Sequence, residues 1–292
     1  MNLIDVLQQN PALFSLLCIL LGLFVGSFLN VVAYRLPKIM EADWRQQCNE
    51  LFGSEDSDKQ EKAPLTLSHP SSSCPNCGHK IRAWENIPII SWLILKGRCS
   101  NCNQPISIRY PIIELATGLL SLAVALHFGF SWQAGAALLL TWALIALTLI
   151  DFDHQLLPDS IVLPMLWLGL ILSLFNIFID SHSAIIGAAA GYLSLWIVFQ
   201  LFRLITGKEG MGYGDFKLLG LFGAWFGWQS LVQIILLSSV VGAAVGISLI
   251  LVRGRDRNIP IPFGPYLAAA GWISLIWGEQ INAAYLSWAG LA

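Results

Sequence analysis

Charged residues are scarce in this chain of 292 residues: they make up 12% of it, with 16 Lys and Arg against 18 Asp and Glu. A soluble globular domain carries about 25% charged residues, so this composition excludes an ordinary soluble protein. The net charge of −2 and the lack of a basic patch argue against a nucleic-acid partner. Instead, 56% of the residues are hydrophobic and the mean hydropathy is +0.66. The composition therefore predicts an integral membrane protein.

The apolar sequence falls into six uncharged runs. A spanning helix needs about 20 apolar residues, so the runs of 36 and 35 residues are each expected to form two helices, with turns near residues 127–132 and 227–230. The prediction is an all-α polytopic membrane protein with about eight transmembrane helices. The runs are Ala12–Tyr34, Leu115–Ile150, Ser160–Ile179, Ser181–Phe202, Leu218–Val252 and Asn258–Gly278.

Lys and Arg residues are confined to three polar segments. Ten lie within residues 35–109, three within residues 203–217 and three within residues 253–257. If the first helix runs from outside to inside, all three segments are cytoplasmic and the positive-inside rule is satisfied. No Lys or Arg precedes the first apolar run and no A-x-A-like site follows it, so we expect a retained helix rather than a signal peptide.

Four of the six cysteines form two C-x-x-C pairs in the polar insert between the first two predicted helices. Cys74 and Cys77 are separated by 21 residues from Cys99 and Cys102. Four thiolates at this spacing are typical of structural zinc. A pair of disulfides or a redox dithiol would fit the same residues, but a cytoplasmic segment keeps its thiols reduced. We therefore predict zinc ligands here and assign no metal to the remaining cysteines, Cys18 and Cys48.

The second feature that carries chemistry is a group of acids after the third predicted helix. Asp151 follows its apolar run directly, and Asp153 and His154 come next, where they are either solvated or orient Asp151. Asp159 precedes another apolar run and is expected to cap a helix. A carboxylate at the edge of a membrane helix is costly, so Asp151 is predicted to be functional.

Asp215 is the matching acid on the same predicted side of the membrane. It ends a glycine-rich segment, Gly210 to Gly214, and glycines let a backbone approach other chain segments closely. Two carboxylates that share one proton can activate water to cut a peptide bond. Asp151 and Asp215 are therefore the predicted catalytic pair of a membrane aspartyl protease.

These motifs together resemble the bacterial type IV prepilin peptidase family, also called prepilin leader peptidase/N-methyltransferases. The resemblance extends from Gly22 to about Ala268. It rests on the G-x-G-D ending at Asp215, the Asp151 segment, the four cysteines, and the stretches Gly26 to Pro37 and Arg82 to Pro88.

The resemblance implies two reactions at the cytoplasmic face of the bacterial inner membrane. Members remove a short basic leader from type IV prepilins or type II secretion pseudopilins, and then methylate the new N-terminal amine with S-adenosylmethionine. The catalytic aspartates correspond to Asp151 and Asp215. Methyl transfer is associated with the amino-terminal half, where Gly97 and Arg98 match a stretch implicated in it.

The implied division of the chain has three parts. Residues 1–35 hold the first transmembrane helix, residues 36–110 form a cytoplasmic zinc-binding insert associated with methyl transfer, and residues 111–292 form a seven-helix peptidase domain. No G-x-G-x-x-G follows a strand in the insert, so the residues that bind S-adenosylmethionine stay unassigned. Glu85, Arg98 and Arg109 are charged neighbours of the cysteines, with solvated surface as their expected role.

Two other classes of protein share some of these features. A transporter or channel would also have intramembrane acids, but near the bilayer midplane and on broken helices in matching halves. A purely structural subunit of a secretion machine would not need two aspartates at an aqueous boundary. An assay for leader removal separates all three classes.

Overall fold

The computed structural model describes residues 3–52, 65–253, 262–288 and 290. Over these residues the chain is helical, and its only β-contacts are two isolated bridges, Ser73 with Lys80 and Arg98 with Pro105. The helices are α1 (Leu3–Gln9), α2 (Pro11–Phe52), α3 (Ile90–Ile94), α4 (Arg109–Phe128), α5 (Trp132–His154), α6 (Asp159–Ser173), α7 (Ser181–Thr206), α8 (Tyr213–Phe226), α9 (Leu231–Arg253) and α10 (Gly264–Trp288).

Five of the described helices are long and apolar enough to cross a membrane. They are α2, α4, α5, α7 and the part of α9 that, with the preceding turn, spans Trp228–Ser248. Helix α6 is apolar but has only 15 residues, and α8 has 14, whereas a span needs about 20. The all-helical membrane architecture is thus confirmed, and the count of eight spans stays a prediction.

Both predicted turns within the long apolar runs are present. Helix α4 ends at Gly129, whose φ of 59° stops it, and Ser131 caps α5 by accepting a hydrogen bond from the Ala134 N–H at 3.1 Å. Helix α8 ends at Gly227 with φ 76°, and a 3-10 turn follows before α9. A glycine therefore divides each run where the sequence predicted, and a capping serine begins the next helix in the first run.

Helix α2 is longer than the sequence predicted. An apolar span ending at Tyr34 and a separate amphipathic piece near residues 44–52 were expected, but α2 is one helix of 42 residues that continues through Pro37. At 1.5 Å per residue it is about 63 Å long, roughly twice the hydrocarbon thickness. Its polar end has i,i+4 pairs such as Glu41 with Arg45, which support an exposed helix. The mobile loop expected after this helix includes residues 53–64, which lie outside the described part.

The chain divides into two compact units, Met1–Phe130 and Ser131–Ala292. In the first unit, α2 packs against α4 through small residues. A Cβ on Gly22 would lie 2.5 Å from Ser121 Oγ, and one on Gly26 would lie 2.8 Å from the Cα of Glu114. Glycines at these positions let the two helix backbones approach closely, as is common for helices in membranes.

The second unit is built around α8. Phe216, Phe222 and Trp225 of this helix are among the largest fully buried side chains. Helix α7 crosses it so closely that a Cβ on Gly187 would collide with the carbonyl of Gly223. Helix α10 packs on α5, α8 and α9. Glycine crossings and the interlocked aromatic rings of α8 thus hold the start of α8, where Asp215 lies, in a fixed position.

Candidate functional site: two buried aspartates and a four-cysteine cluster

Asp151 lies in the last turn of α5. The turn ends at Gln155 in the left-handed conformation, with φ 55°, and the Gln155 N–H donates to the Asp151 carbonyl at 2.9 Å. This leaves the side chain of Asp151 free of the helix end and directed inward, with only 5% of the residue exposed. The backbone of Gly264, at the start of α10, lies against its carboxylate.

Asp215 lies in the first turn of α8, with Gly212 as the N-cap. It is 7% exposed, and the backbone N–H of Gly212 donates to its carboxylate. A carboxylate in the first turn of a helix is stabilised by the helix dipole and by the unpaired N–H groups there. The glycine-rich segment therefore acts as predicted: it brings a carboxylate into the interior of the second unit.

The structure brings the two aspartates into the same part of the second unit: Gly264 lies against the carboxylate of Asp151, and Leu157 packs between Gly264 and Gly214, the residue before Asp215. Each carboxyl also keeps one buried oxygen, Oδ2 of Asp151 and Oδ1 of Asp215, that accepts no hydrogen bond from any residue the structure describes. An unpaired buried polar atom costs free energy, and such atoms are uncommon in native proteins. Two of them on neighbouring acids mark a site arranged to bind something polar.

The other acids of the Asp151 segment have different roles. Asp153 and His154 are exposed. Asp159 was predicted to cap α6, but this was wrong: Pro158 occupies the N-cap position and Asp159 is the first helical residue. Its carboxylate instead binds Lys217, with Nζ–O distances of 2.8 and 2.7 Å.

The four predicted zinc ligands form one cluster. All four sulfurs lie within 4.8 Å of one another, with Sγ–Sγ distances of 3.8 Å for Cys74–Cys102 and 4.0 Å for Cys77–Cys99. A tetrahedral zinc with Zn–S bonds of about 2.3 Å would place its sulfurs roughly 3.8 Å apart. The geometry of the donor set therefore fits a tetrahedral metal ion.

Each C-x-x-C pair is shaped by the same turn. The N–H of Gly78 donates to the carbonyl of Cys74 at 3.0 Å, and the N–H of Asn103 donates to that of Cys99 at 3.0 Å. Both Gly78 and Asn103 have positive φ, at 69° and 57°. Glycine and asparagine tolerate this conformation best.

The thiols of the cluster respond differently to their neighbours. The N–H of His79 is the main reason that the pKa of Cys77 falls to about 6, and the N–H of Cys102 is the main reason that the pKa of Cys99 is lowered. For Cys102 the N–H of Gln104 favours the thiolate, but desolvation and the nearby Cys77 and Cys99 raise its pKa. Four thiolates at this spacing repel one another, and a bound dication removes that repulsion.

The other charged residues near the cluster are Glu85, Arg98 and Arg109. Arg98 and Arg109 are exposed, as expected. Glu85 is not solvated: its side chain is 5% exposed and accepts from the Arg82 N–H at 2.8 Å, which is the main reason that its pKa is lowered. It therefore has a structural role in the fold of the insert.

Three residues with structural or site roles were not found from the sequence. Gly264 contacts Asp151, Arg35 donates to the carbonyls of Thr66 and Pro70, and Glu114 accepts from the Ile89 N–H at 2.7 Å. The Gly-Pro pair that opens α10 is a recognisable helix start, so the sequence could have indicated that a helix begins at Gly264. The partners of Arg35 and Glu114 are distant in sequence and offered none.

Comparison with known proteins connects both sites to one family. A model described as the bacterial peptidase A24 N-terminal domain matches residues 20–128, and a model of the type IV leader peptidase family matches residues 138–247. No solved structure matches the chain.

Similar proteins cover the whole chain. The prepilin leader peptidase/N-methyltransferase of Pseudomonas aeruginosa is 59% identical over 99% of both chains, and that of Stutzerimonas stutzeri is 58% identical over 100% of both. The Legionella pneumophila protein of the same name is 46% identical over 98% of this chain and 99% of its own. Because these identities extend over nearly the full length, the chain belongs to the prepilin leader peptidase/N-methyltransferase family.

Proposed function

We propose that this protein removes the leader from type IV prepilins or type II secretion pseudopilins and then N-methylates the new first residue. Asp151 and Asp215 are the catalytic pair in this proposal. The observation that carries it is that one unit holds two buried carboxyls, each with one oxygen that has no donor among the described residues. Both lie at helix ends, which favours a protease over a transporter with acids at the bilayer midplane.

Cleavage follows from one proton shared by two acids. The ionised aspartate takes a proton from water, and the water oxygen attacks the scissile carbonyl carbon. The protonated aspartate gives its proton to the carbonyl oxygen, which forms a tetrahedral intermediate. The aspartate that took the proton from water then gives it to the leaving nitrogen as the C–N bond breaks. A hydroxyl of the intermediate gives its proton to the other aspartate, so the product is a carboxylic acid and the pair again holds one shared proton. The two acids titrate as a pair, so neither role is assigned to a single residue.

The proposed setting is the bacterial inner membrane, with the catalytic pair facing the cytoplasm. The support is the confinement of all Lys and Arg to three segments of the sequence, 35–109, 203–217 and 253–257. The substrate's apolar segment would lie in the bilayer against the helices, while its charged leader stays in the cytoplasm. Residues 1–35, 36–110 and 111–292 are the proposed anchoring helix, zinc insert and peptidase domain.

Zinc is the proposed occupant of the four-cysteine cluster, bound by Cys74, Cys77, Cys99 and Cys102. Its role would be to fold the insert, since binding free energy contributes directly to folding in small metal-bound segments. The support is the tetrahedral spacing of the four sulfurs and a cytoplasmic setting that keeps thiols reduced.

The methyl donor of the second reaction is S-adenosylmethionine, which supplies the methyl group. A cleft of about 530 Å³ beside Cys99 has a suitable size, since small-molecule sites are usually about 300–1,000 Å³. Lys96 and Arg98 line it and would bind the carboxylate of the donor, while Ile94 and Leu95 offer apolar surface. The shape of this segment depends on Gly97, which has φ 67° and lies against the ring of Trp92.

Mass spectrometry of a prepilin peptide incubated with the purified protein tests the proposal. The peptide should lose its leader, and adding S-adenosylmethionine should then add one methyl group to the new N-terminus. The resemblance to the family implies cleavage after a glycine, so a peptide in which that glycine is replaced serves as the control and should stay intact. An unshortened wild-type peptide, with the protein shown to be folded, would contradict the proposal.

A further inference from the structure

Each carboxylate of the candidate pair lies beside the backbone amide of a glycine at a helix start. For Asp215 this is Gly212, three residues earlier in the chain. For Asp151 it is Gly264, on a different helix, where α10 begins and packs against α5. The two aspartates therefore depend on three helices, and α10 contributes the backbone of Gly264 to the site.

The space around Gly264 is filled by the carboxylate of Asp151. A Cβ on Gly264 would lie 2.6 Å from Asp151 Oδ2 and 3.2 Å from Asp151 Cγ. Real Cβ atoms essentially never approach another atom closer than 3.0 Å, so a side chain here would displace the carboxylate. The φ of Gly264 lies outside the left-handed region, so alanine would fit its backbone and the contact with Asp151 is the main obstacle. At Gly212 the nearest atom is 3.9 Å away, which leaves room for a methyl group.

Leu157 prevents the start of α10 from moving away from Asp151 to relieve a clash at Gly264. Its Cδ1 lies 3.2 Å from the same Cβ position on Gly264. Its Cβ lies 2.8 Å from the Cβ position on Gly214, the residue before Asp215. Leu157 is thus packed between the start of α10 and the start of α8, and α10 has no free space on that side.

We propose that Gly264 is a positioning residue for Asp151: its N–H orients the carboxylate, and its lack of a side chain leaves the space that Oδ2 occupies. The proposal rests on the proposed function in which Asp151 is catalytic. It assigns the start of α10 to the active site, beside an oxygen of Asp151, Oδ2, that accepts no hydrogen bond from the described residues.

Gly264→Ala tests the kinetic consequence, with Gly278→Ala as the matched control in the same helix. The nearest atoms to a Cβ on Gly278 are 3.8 and 3.9 Å away, so that change meets only ordinary contacts. A catalytic group misplaced by about 1 Å can cost on the order of 100-fold in rate. We expect kcat for leader removal to fall by about that factor in Gly264→Ala, with KM within a few-fold, and Gly278→Ala to stay within about twofold of wild type in both. Unchanged kcat in Gly264→Ala, or an equal loss in Gly278→Ala, would overturn the proposal.

A double-mutant cycle of thermal unfolding measures the contact itself, independently of activity. Gly264→Ala should lower the unfolding midpoint in the wild-type background and lower it much less in Asp151→Ala, because the carboxylate that it displaces is then absent. The cycle still gives a result when Gly264→Ala is too unstable for the cleavage assay, because it measures unfolding midpoints and not activity. An equal fall in the unfolding midpoint in both backgrounds would overturn the proposal. So would a fall that disappears in a Leu157→Ala background but persists in an Asp151→Ala background.

The two proposals fail in different ways. If Asp151→Asn still cleaved prepilin, the catalytic role of Asp151 would be lost while the unfolding cycle still reported its contact with Gly264. If the cycle showed no coupling while Asp151→Asn was inactive, Asp151 would remain catalytic without Gly264 as its positioning residue.

Discussion

Lys217 binds both carboxylate oxygens of Asp159, at 2.8 and 2.7 Å. Asp159 begins α6, directly after the turn that follows Asp151, and Lys217 lies two residues after Asp215. The ion pair therefore links the two segments that carry the candidate catalytic acids. Both side chains are partly exposed, at 30% for Lys217 and 52% for Asp159, so we expect a contribution of only about 0.2–1 kcal/mol.

Metal analysis of the purified protein should find about one zinc ion per chain, because four thiolates fill one tetrahedral site. Cys74→Ser combined with Cys77→Ser should lose the metal and make the insert sensitive to protease, since metal binding folds it. Cys18→Ser combined with Cys48→Ser is the control and should keep the metal. Disulfides among the four cysteines in protein kept reduced would contradict the assignment.

Alkylation of the four clustered cysteines should depend on whether they bind zinc. In the metal-free protein the rate at Cys77 should rise as pH increases through about 6, because the His79 N–H favours its thiolate. Added zinc should protect all four cysteines of the cluster while the exposed Cys48 still reacts. Peptide mass mapping reads each site, and equal reaction of Cys77 with and without zinc would argue against metal binding.

Binding of S-adenosylmethionine should depend on the cleft beside Cys99. Replacing both Lys96 and Arg98 with Ala should weaken binding about tenfold or more, because two cations that bind a carboxylate are lost. Lys80→Ala removes an exposed cation outside the cleft and should bind normally. Calorimetric titration measures both, and an unchanged Kd in the double variant would place the donor elsewhere.

Labelling with a membrane-impermeant thiol reagent should report opposite faces for Cys48 and for Asn282→Cys. Cys48 lies in the polar end of α2 and Asn282 in the last part of α10, and an eight-span topology separates them. Labelling at position 282 is measured in a variant that also carries Cys48→Ser. Reaction of both from one side of sealed vesicles would contradict the eight-span count.

The crossing of α7 and α8 should not tolerate a side chain at Gly187. Alanine there would collide with the Gly223 carbonyl, so the free energy of unfolding should fall by about 1–3 kcal/mol. Gly135→Ala, where the Cβ meets open space, is the control and should change it little. Thermal unfolding of both variants in one detergent gives the comparison, and equal stability would mean that the crossing is looser than the structure has it.

Local patterns in the sequence were sufficient to predict the helices, the two turns inside the long runs, the cysteine cluster and the proximity of Asp151 to Asp215. The helices, turns and cysteine cluster depend on composition or spacing within a short segment, whereas the pairing of the two aspartates was predicted from the Lys and Arg distribution over the whole chain and from the family resemblance. The continuation of α2 was missed because the uncharged run ends at Tyr34, before Arg35, whereas i,i+4 pairs support the polar end of the helix.

Contacts between distant segments were beyond such patterns. Asp159 has the sequence context of a helix cap, but its partner is Lys217, 58 residues away. Gly264 has the context of an ordinary helix start, and only the packing of α10 on α5 shows that Asp151 fills the space beside it. Tertiary packing, which no local spacing encodes, decided both.

The most direct test of the central claim is the mass of a pilin processed by each aspartate variant. Asp151→Asn and Asp215→Asn keep the shape but remove the ionisable carboxyl, so each should stop leader removal about as completely as the double variant, as for groups that act as a unit. Asp153→Asn and Asp159→Asn should retain substantial cleavage. Both inactive variants should still methylate a pilin that has already been cleaved, because that step needs no activated water. Leader removal by Asp151→Asn, with its loss in Asp153→Asn, would contradict the account.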